Sequence, residues 1–451
     1  MKKTSNLING KVFSSLLKFA IPVFVAMFLQ SLYGGVDLLV VGQFADTADV
    51  SGVATGSLLM QTVTMIITGF SMGVTVYVGK KIGEGNSKEA GKAIGSGIML
   101  FLLIGIVITA LLVIFTRQLA TVLHAPSEAF NETCDYITVC GIGTLFICMY
   151  NLLGAIFRGV GDAKTPLITV LIACIINIAG DLFFIAVLGM GAKGAALATI
   201  IAQASSVLIS VLIIRRKSLP FAFKKEYIKF NREIILHELK LGTPIALQEL
   251  LVGISFLVIQ AAVNSIDVVA SAGVGVAEKV CAFIMLVPSS FSQSISAFVA
   301  QNIGAGRRDR ASKALKCGIL SSLCVATVIG SFSFFRGDIL AGIFAKDPEI
   351  ILQAFDYLKA YAIDTFLTSI LFCFIGYFNG CGNTLFVMLQ GIIGAFGVRV
   401  PVVLIMSGIA DVSLFQIGLA TPCSSIFQII LCLSFMLYLK HPEKKTTKTQ
   451  I

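Results

Sequence analysis

Charged residues are scarce in this chain of 451 residues, in which Asp, Glu, Lys and Arg together make up 13% of the sequence. Soluble domains contain about a quarter. Hydrophobic residues account for 57%, and the mean hydropathy is +0.93. Trp is absent, and the three His lie far apart, at positions 124, 237 and 441. This composition excludes a soluble globular protein and indicates an integral membrane protein.

Sequence motifs of ATP-driven and hydrolytic sites are also absent. The chain has no G-x-x-x-x-G-K-[ST] motif for ATP and no H-E-x-x-H motif for zinc. The eleven Cys include no C-x-x-C pair, so we interpret them as small apolar residues rather than metal ligands or disulfides. We therefore expect no cofactor and no metal centre. An intramembrane enzyme is a weak alternative, because no nucleophile and base fall close together.

Long apolar runs dominate the sequence instead. A helix needs about 20 residues to cross a hydrocarbon core of roughly 30 Å, and the 42 Gly fit close helix packing in lipid. The predicted fold class is all-α, an integral membrane protein with twelve transmembrane helices. These lie near 14–41, 50–78, 93–116, 134–157, 165–189, 191–214, 238–264, 267–297, 314–336, 355–379, 384–408 and 412–438.

The basic residues, which give a net charge of +10, are distributed unevenly. Most of the 34 Lys and Arg fall on one side of the predicted membrane, in the N-terminal segment, alternate loops, the stretch 215–240 and the C-terminal tail. By the positive-inside rule, and with an even number of spans, both termini should be cytoplasmic. The basic excess is thus an orientation signal, and no nucleic-acid partner is expected. We also expect no cleaved signal peptide, since no short apolar stretch with a cleavage site opens the chain.

The sequence repeats itself at an offset of 221 residues. Residues 78–98, VGKKIGEGNSKEAGKAIGSGI, align without a gap to residues 299–319, VAQNIGAGRRDRASKALKCGI, and FRGVGD at 157–162 aligns to FNGCGN at 378–383. Each half contains six of the predicted helices. Because six is an even number, both halves begin on the same side of the membrane, and they are predicted to be parallel six-helix repeats around a central cleft. The predicted organisation is an N-terminal lobe at 1–214, a basic cytoplasmic linker at 215–237, a C-terminal lobe at 238–438 and a cytoplasmic tail at 439–451.

Four motifs in this arrangement resemble those of the multidrug and toxic compound extrusion (MATE) family. They are the two I-G-x-G loops at 82–85 and 303–306, R-G-x-G-D-x-x-x-P at 158–166, and D-x-x-x-V-G at 37–42. The chain is most similar to the bacterial MepA/DinF-type branch. The resemblance implies a secondary active transporter of the bacterial cytoplasmic (plasma) membrane, which exports lipophilic or cationic compounds by antiport with H⁺ or Na⁺ through alternating access. We expect it to function as a monomer.

Two acidic residues lie inside apolar runs of the first half alone. The repeat offset carries Asp181 onto Val402 and Asp37 onto Val258 or Ile259, so the second half lacks both carboxylates. Asp37 is 19 residues beyond Lys18 and Asp181 is 17 beyond Lys164, which is about 28 Å and about 25 Å along an outward helix. The two acids are therefore expected at similar depth.

Three neutral polar residues are expected to join this pair. Asn177 is four residues before Asp181 and so shares its helix face, while Tyr136 and Thr199 can reach the same height from the neighbouring spans. Residues of these types at matching positions form the ion site of the N-terminal half in the family that the chain resembles. The resemblance thus implies a cation-coupling site at Asp37, Tyr136, Asn177, Asp181 and Thr199.

The chemistry of the pair leaves alternatives open. Two carboxylates at low dielectric cannot both be ionised cheaply, so they would share a proton, or hold Na⁺ between their oxygens. The sequence does not choose between these ions. Buried Asp and Asn also serve as interhelical hydrogen-bond glue. Pro22 predicts a kink in the first span, which either moves with the charge on the acids or is static.

The second half contains its own intramembrane polar residues. In the NorM-type branch of the family, acids of the seventh and tenth spans contribute to a cation site, and their positions fall near Val252 and Thr368 in this chain. The acids present here, Glu249 and Asp364, lie about one turn away, so the chain does not match a sodium site of that type. The acids are candidates for contacting a cationic substrate or for an internal salt link to Lys279 or Arg399. The full set of candidates is Gln248, Glu249, Glu278, Lys279, Asp364 and Arg399.

The expected substrates follow from the side chains available to a cleft. The 34 Phe, 9 Tyr and 12 Met can bind flat lipophilic cations through apolar burial and cation–π attraction. The rival transport function is a lipid-linked saccharide flippase, which would need Arg399 or Lys279 in the cleft to meet phosphate. A passive channel is less favoured, because an acid site confined to one lobe is not a pore ring.

Overall fold

The computed structural model describes residues 6–216, 219–221, 223–264, 267–409 and 411–446. Within them the chain is helical, without strands, and the predicted fold class of twelve membrane-spanning helices is confirmed. Parts of the predicted linker and tail, at 217, 218, 222 and 447–451, lie outside the described residues. The twelve helices are α1 Val12–Phe44, α2 Thr47–Gly83, α3 Ser87–Ile114, α4 Ser127–Val160, α5 Lys164–Val187, α6 Gly191–Arg216, α7 Arg232–Asn264, α8 Val268–Gly304, α9 Arg308–Ala341, α10 Pro348–Cys381, α11 Thr384–Ser407 and α12 Leu414–Leu439.

These apolar segments form helices because a membrane offers no water to satisfy the backbone, and a helix satisfies it within one segment. Helix α1 runs continuously through Pro22, and α7 through Pro244. Helices α5 and α11 each include a wider π-helical stretch, at Leu182–Val187 and Ile393–Arg399. Such stretches are uncommon and occur frequently at functional sites.

The chain divides into two compact units. The first contains Met1–Ala246 and Ala297–Ala311, and the second contains Leu247–Ser296 and Ser312–Ile451. The first therefore includes the described part of the linker and the beginning of α7. In the linker, the carbonyl of Tyr227 lies directly against Gly95 of α3, at a point where a side chain would collide with it. The lobe boundaries proposed from the sequence remain predictions.

The two I-G-x-G motifs meet within the first unit. A Cβ at Gly83 would collide with the carbonyl of Gln301, and a Cβ at Gly304 would collide with the carbonyl of Lys80. The repeat offset relates Lys80 to Gln301 and Gly83 to Gly304, so the contact is pseudo-symmetric. The Gln301 amide also donates a hydrogen bond of 2.8 Å to the carbonyl of Gly159. The motif glycines therefore allow the ends of α2 and α8 to touch backbone to backbone.

A second small-residue crossing joins α2 to the beginning of α7. Gly69 lies against the backbone of Ala246, and Gly73 lies against the backbone of Gly242. A Cβ built on Gly73 would be only 2.6 Å from the amide nitrogen of Gly242. Small residues allow such close approach in membranes, where dispersion and interhelical hydrogen bonds replace the hydrophobic effect.

The same end of the first unit also holds the N-terminal segment. The Arg310 guanidinium donates hydrogen bonds of 3.1 Å to the carbonyl of Leu7 and 2.7 Å to the carbonyl of Gly10. Its Nε donates to Oδ1 of Asn302 at 3.0 Å, and the amide of Asn302 donates to Leu7 at 3.2 Å. The second I-G-x-G loop thus fastens residues 7–10 to the ends of α8 and α9.

Candidate ion-binding site

Asp37 of α1 lies inside the first unit, with a side chain that is only 6% exposed. Thr199 of α6 donates a hydrogen bond of 3.2 Å from Oγ1 to Oδ2 of Asp37. The other carboxylate oxygen, Oδ1, is buried and has no hydrogen-bond partner of good geometry among the described residues. Half of the acceptor capacity of this carboxylate is thus unsatisfied.

Asp181 and Asn177 of α5 lie next to Asp37, and both are fully buried, at 0% exposure. Their side chains are within hydrogen-bonding range of the Asp37 carboxylate. The geometry is nevertheless incomplete, because both oxygens of Asp181 and both amide atoms of Asn177 lack a well-formed hydrogen bond in the part of the chain that the structure describes. The predicted proximity of the two acids is therefore observed, and their oxygens converge without satisfying one another.

Local packing explains how α5 and α6 bring these groups together. Gly180 precedes Asp181 and lies against Ala198, whose Cβ would be 3.0 Å from a Cβ at that glycine. This approach places the adjacent Thr199 close enough to bond Asp37. Asp181 is also the last residue before the π-helical stretch Leu182–Val187, where the helix widens. This change of helix type was not predicted from the sequence.

Two tyrosines complete the surroundings of the acids. Tyr136 of α4 is buried and interacts electrostatically with both Asp37 and Asp181. Its ring lies over Gly56, with Cδ1 at 2.5 Å from an ideal Cβ there, so only glycine leaves room for it. Tyr33 of α1 is also buried next to Asp37, and the sequence analysis missed it. Its spacing of four residues from Asp37 was the available signal, since such residues share a helix face.

The arrangement has a clear chemical consequence. An unsatisfied buried carboxylate is costly unless a proton or a cation compensates it. Here two carboxylates, an amide oxygen and hydroxyl groups provide oxygen ligands in one place, as Na⁺ would require. The same two carboxylates could instead share a proton. The cluster is therefore suited to bind one monovalent cation or H⁺.

The second unit contains apolar residues at the corresponding places. Ile259, at the repeat position of Asp37, is buried in the hydrophobic core of that unit, and Val402, at the position of Asp181, packs against this core. The asymmetry noted in the sequence thus extends to the packing, and the second unit packs these positions without carboxylates.

Two of the predicted second-half residues interact with each other. Asp364 of α10 and Arg399 of α11 are both buried and attract one another electrostatically. The Arg399 guanidinium donates a hydrogen bond of 2.9 Å to Ser255 and lies 4.4 Å from the ring centre of Phe256. Asp364 also interacts with the Ser425 hydroxyl. The internal salt link considered from the sequence stays a prediction, because the two groups attract one another while Oδ1 of Asp364 and Nε of Arg399 have no hydrogen-bond partner among the described residues.

The remaining second-half candidates do not join one site. Gln248 packs against Gly391, while Glu249 is exposed at the surface of its unit. Lys279 is exposed and Glu278 is half-buried, as expected for adjacent residues that point in different directions around a helix. Glu278 interacts electrostatically with Tyr357, at the edge of the Asp364 and Arg399 cluster.

The buried pair allows a prediction about stability. Replacing Asp364 by Ala should destabilise the protein by about 3 kcal/mol, because Arg399 is left as an uncompensated buried charge. Thermal unfolding in detergent micelles should show a lower midpoint for this variant. The double variant Asp364→Asn with Arg399→Met, which removes both charges, should recover most of the loss. Equal midpoints for Asp364→Ala and the wild type would show that the two residues do not compensate each other.

Comparisons with known proteins agree with the repeat and with the fold. The sequence model described as MatE matches residues 22–183 and again 244–405, so that the matches begin at Pro22 and Pro244. Probable multidrug resistance protein YoeA of Bacillus subtilis is 24% identical over 93% of this chain and 92% of its own. Multidrug export protein MepA of Staphylococcus saprophyticus is 24% identical over 89% and 88%. The solved outward-facing conformation of a multidrug resistance MATE transporter of the MOP superfamily superposes with a TM-score of 0.91 at 18% identity, over 98% of this chain and 99% of that one.

Proposed function

We propose, from the premise that the chain belongs to the MatE family of membrane transporters and not to a family of enzymes, that it exports lipophilic or cationic compounds in exchange for H⁺ or Na⁺. The relatives named above are multidrug exporters, including a MepA-type protein. We further propose that it is a monomer in the bacterial cytoplasmic membrane, with both termini in the cytoplasm.

The observation that carries this proposal is the convergence of Asp37 and Asp181. Their oxygens lie together in the first unit and are left partly unsatisfied, whereas the second unit has Ile259 and Val402 in their place. Binding of H⁺ or Na⁺ at such a site changes the charge that is buried between α1 and α5. Ion binding can therefore bias a conformational equilibrium, by as much as its affinity differs between the two conformations.

A coupling cycle follows from this site. With H⁺ or Na⁺ bound, the acids tolerate burial between α1 and α5. Without the ion, their mutual repulsion favours a conformation in which water reaches them. Export is coupled if the compound binds best to the ion-free conformation, so that the two ligands bind reciprocally.

The flippase alternative has weaker support. A lipid-linked saccharide carries phosphate, and Arg399 is the buried cation that could meet it. That guanidinium is occupied by Ser255 and by the charge of Asp364, and Lys279 is exposed. A phosphate would have to compete with Ser255 and Asp364 for this guanidinium, although its Nε has no hydrogen-bond partner among the described residues.

Transport in proteoliposomes tests the proposed function. A pH gradient and a sodium gradient are imposed across the membrane in separate experiments. One of them should drive ethidium movement by the wild-type protein, and the gradient that does so identifies the coupling ion. Liposomes without protein are the control. Absence of ethidium transport under both gradients would contradict the proposal and bring the flippase function to the front.

The contact between Thr199 and Asp37 supports a finer prediction. Thr199→Val keeps the shape of the side chain but removes the hydroxyl donor, at a cost of about 1.5 kcal/mol for a bond to a charged group. The apparent affinity for the coupling ion, measured from ethidium transport against ion concentration, should fall roughly tenfold. Thr199→Ser retains the hydroxyl and should remain close to the wild type. Equal affinities for Thr199→Val and the wild type would exclude a contribution of this hydroxyl.

A further inference from the structure

Glu238 is a buried acid that lies outside the Asp37 and Asp181 cluster. It belongs to the beginning of α7, and its side chain is 1% exposed. Neither of its carboxylate oxygens has a hydrogen-bond partner among the described residues. Helix α7 begins six residues earlier, at Arg232. Glu238 therefore lies about 9 Å along the helix from its first residue, which follows the linker. Asp181, by contrast, lies 17 residues beyond Lys164, the first residue of α5.

The packing around Glu238 explains its burial. A Cβ built on Gly73 of α2 would lie 2.7 Å from the backbone carbonyl oxygen of Glu238. A Cβ built on Gly97 of α3 would lie 3.5 and 3.6 Å from the two carboxylate oxygens of Glu238. Leu152 of α4 borders the same point. Gly73 thus admits the backbone of α7 and Gly97 admits the carboxyl group, in a space where the described residues supply no compensating cation. Neither Gly97 nor Leu152 provides a side-chain oxygen, so a metal ion would find too few ligands there.

The titratable groups near Glu238 lie on α2, on α7 itself and at the beginning of α3. Tyr77 of α2 is half-buried and interacts electrostatically with Glu238. It also interacts electrostatically with Lys81 of its own helix. His237, next in the chain, is exposed, and its ring centre lies 5.8 Å from that of Tyr77. Glu233 of α7 is exposed as well. Among them, the half-buried Tyr77 is the group through which the buried carboxyl group can exchange a proton with water.

On α3, one charged group belongs to the same surroundings. Glu89 acts on Tyr77 from the exposed beginning of α3 and is paired with Lys92 at 2.8 Å. Its charge is therefore already compensated. No charge among the described residues neutralises the Glu238 carboxylate directly, and a proton is the simplest group that can do so.

We propose that Glu238 is a proton-binding site in its own right, which holds a proton while α2, α3 and α7 are packed together and exchanges it with water through Tyr77 when they separate. The binding step is simple: a carboxylate oxygen accepts H⁺ from water, and release returns H⁺ to water. Transport of this proton rests on the proposed antiport, whereas its binding to Glu238 is independent of that proposal.

Infrared spectroscopy of the purified protein tests proton binding without transport. The C=O stretching band of a protonated carboxyl group should be present in the wild type and lost, in part, in Glu238→Gln. Glu233→Gln, which changes an exposed acid of the same helix, should leave the spectrum unchanged. To remove the contribution of the other acids, the comparison is repeated in an Asp37→Asn and Asp181→Asn background. A Glu238→Gln spectrum that matches its parent in both backgrounds would overturn the proposal.

Proton release on addition of ethidium, followed with a pH-sensitive dye, tests the transported proton. Glu238→Gln should release fewer protons per bound ethidium than Glu233→Gln. Unchanged release together with loss of the infrared band would confine Glu238 to binding a static proton and overturn its part in coupling. Absence of release from the wild type would exclude H⁺ as the coupling ion and with it a transported proton at Glu238, while the infrared result would still decide whether Glu238 binds a proton.

Discussion

Ethidium transport driven by an ion gradient should fall to the rate of protein-free liposomes when Asp181 is replaced by Asn. The substitution preserves the shape of a fully buried side chain but removes its ability to take up a proton or to neutralise a cation. With a permanently neutral group there, binding of the ion no longer changes the charge between α1 and α5. The gradient then has no means of biasing the conformational equilibrium.

Asp135→Asn is the matched control. Asp135 of α4 forms an exposed ion pair of 3.0 Å with Lys193, and such pairs contribute at most about 1 kcal/mol. This variant should transport at the wild-type rate. Both variants should elute as folded protein in gel filtration. Driven transport that persists in Asp181→Asn would make Asp181 an interhelical hydrogen-bonding group and would shift attention to Glu249 and Asp364.

Transport should also be strongly reduced by Gly304→Val. A Cβ at Gly304 collides with the backbone at Lys80, where no side-chain rotation can relieve the clash. Overpacking of this kind costs about 2 kcal/mol or more, which corresponds to a roughly 30-fold shift in the balance between touching and separated helix ends. The proposed alternating access requires both conformations, so a shift of that size should slow the whole cycle.

Hydrogen–deuterium exchange can follow the same change directly. The backbone of Lys80–Gly83 and of Gln301–Gly304 should exchange faster in Gly304→Val than in the wild type. Gly275→Val is the control on the same helix, because no atom lies within 4 Å of the Cβ position at Gly275. Exchange that is equally slow in all three proteins would mean that the α2 and α8 ends do not need to be in contact.

Much of the fold could be predicted because its signals are local or periodic. The length of apolar runs defined the twelve helices, since the membrane imposes a fixed span. Self-similarity revealed the two halves, which the two matches beginning at Pro22 and Pro244 support. The physical reason for the repeated I-G-x-G motif was not predictable. It depends on the contact of Gly83 with Gln301 and of Gly304 with Lys80, and a single sequence does not show which backbones touch.

The candidate ion site was largely predictable for a similar reason. Depth along the helix follows from residue count, so Asp37 and Asp181 could be placed at one level before their contact was known. Glu238 was missed because it follows a basic linker and seemed to belong to a charged surface. Its burial comes from Gly73 and Gly97 of other helices. Residue count gives depth, but only tertiary packing determines which side of a helix is covered.

If the Asp37 and Asp181 cluster binds the coupling ion, the purified protein should show this in an ion-binding measurement. Radioactive sodium binding and drug-triggered proton release would be measured on the wild type, Asp37→Asn and Asp181→Asn. We expect one of the two signals in the wild type and its loss or sharp reduction in both variants. Undiminished binding of the same ion in both variants would show that the coupling ion binds elsewhere.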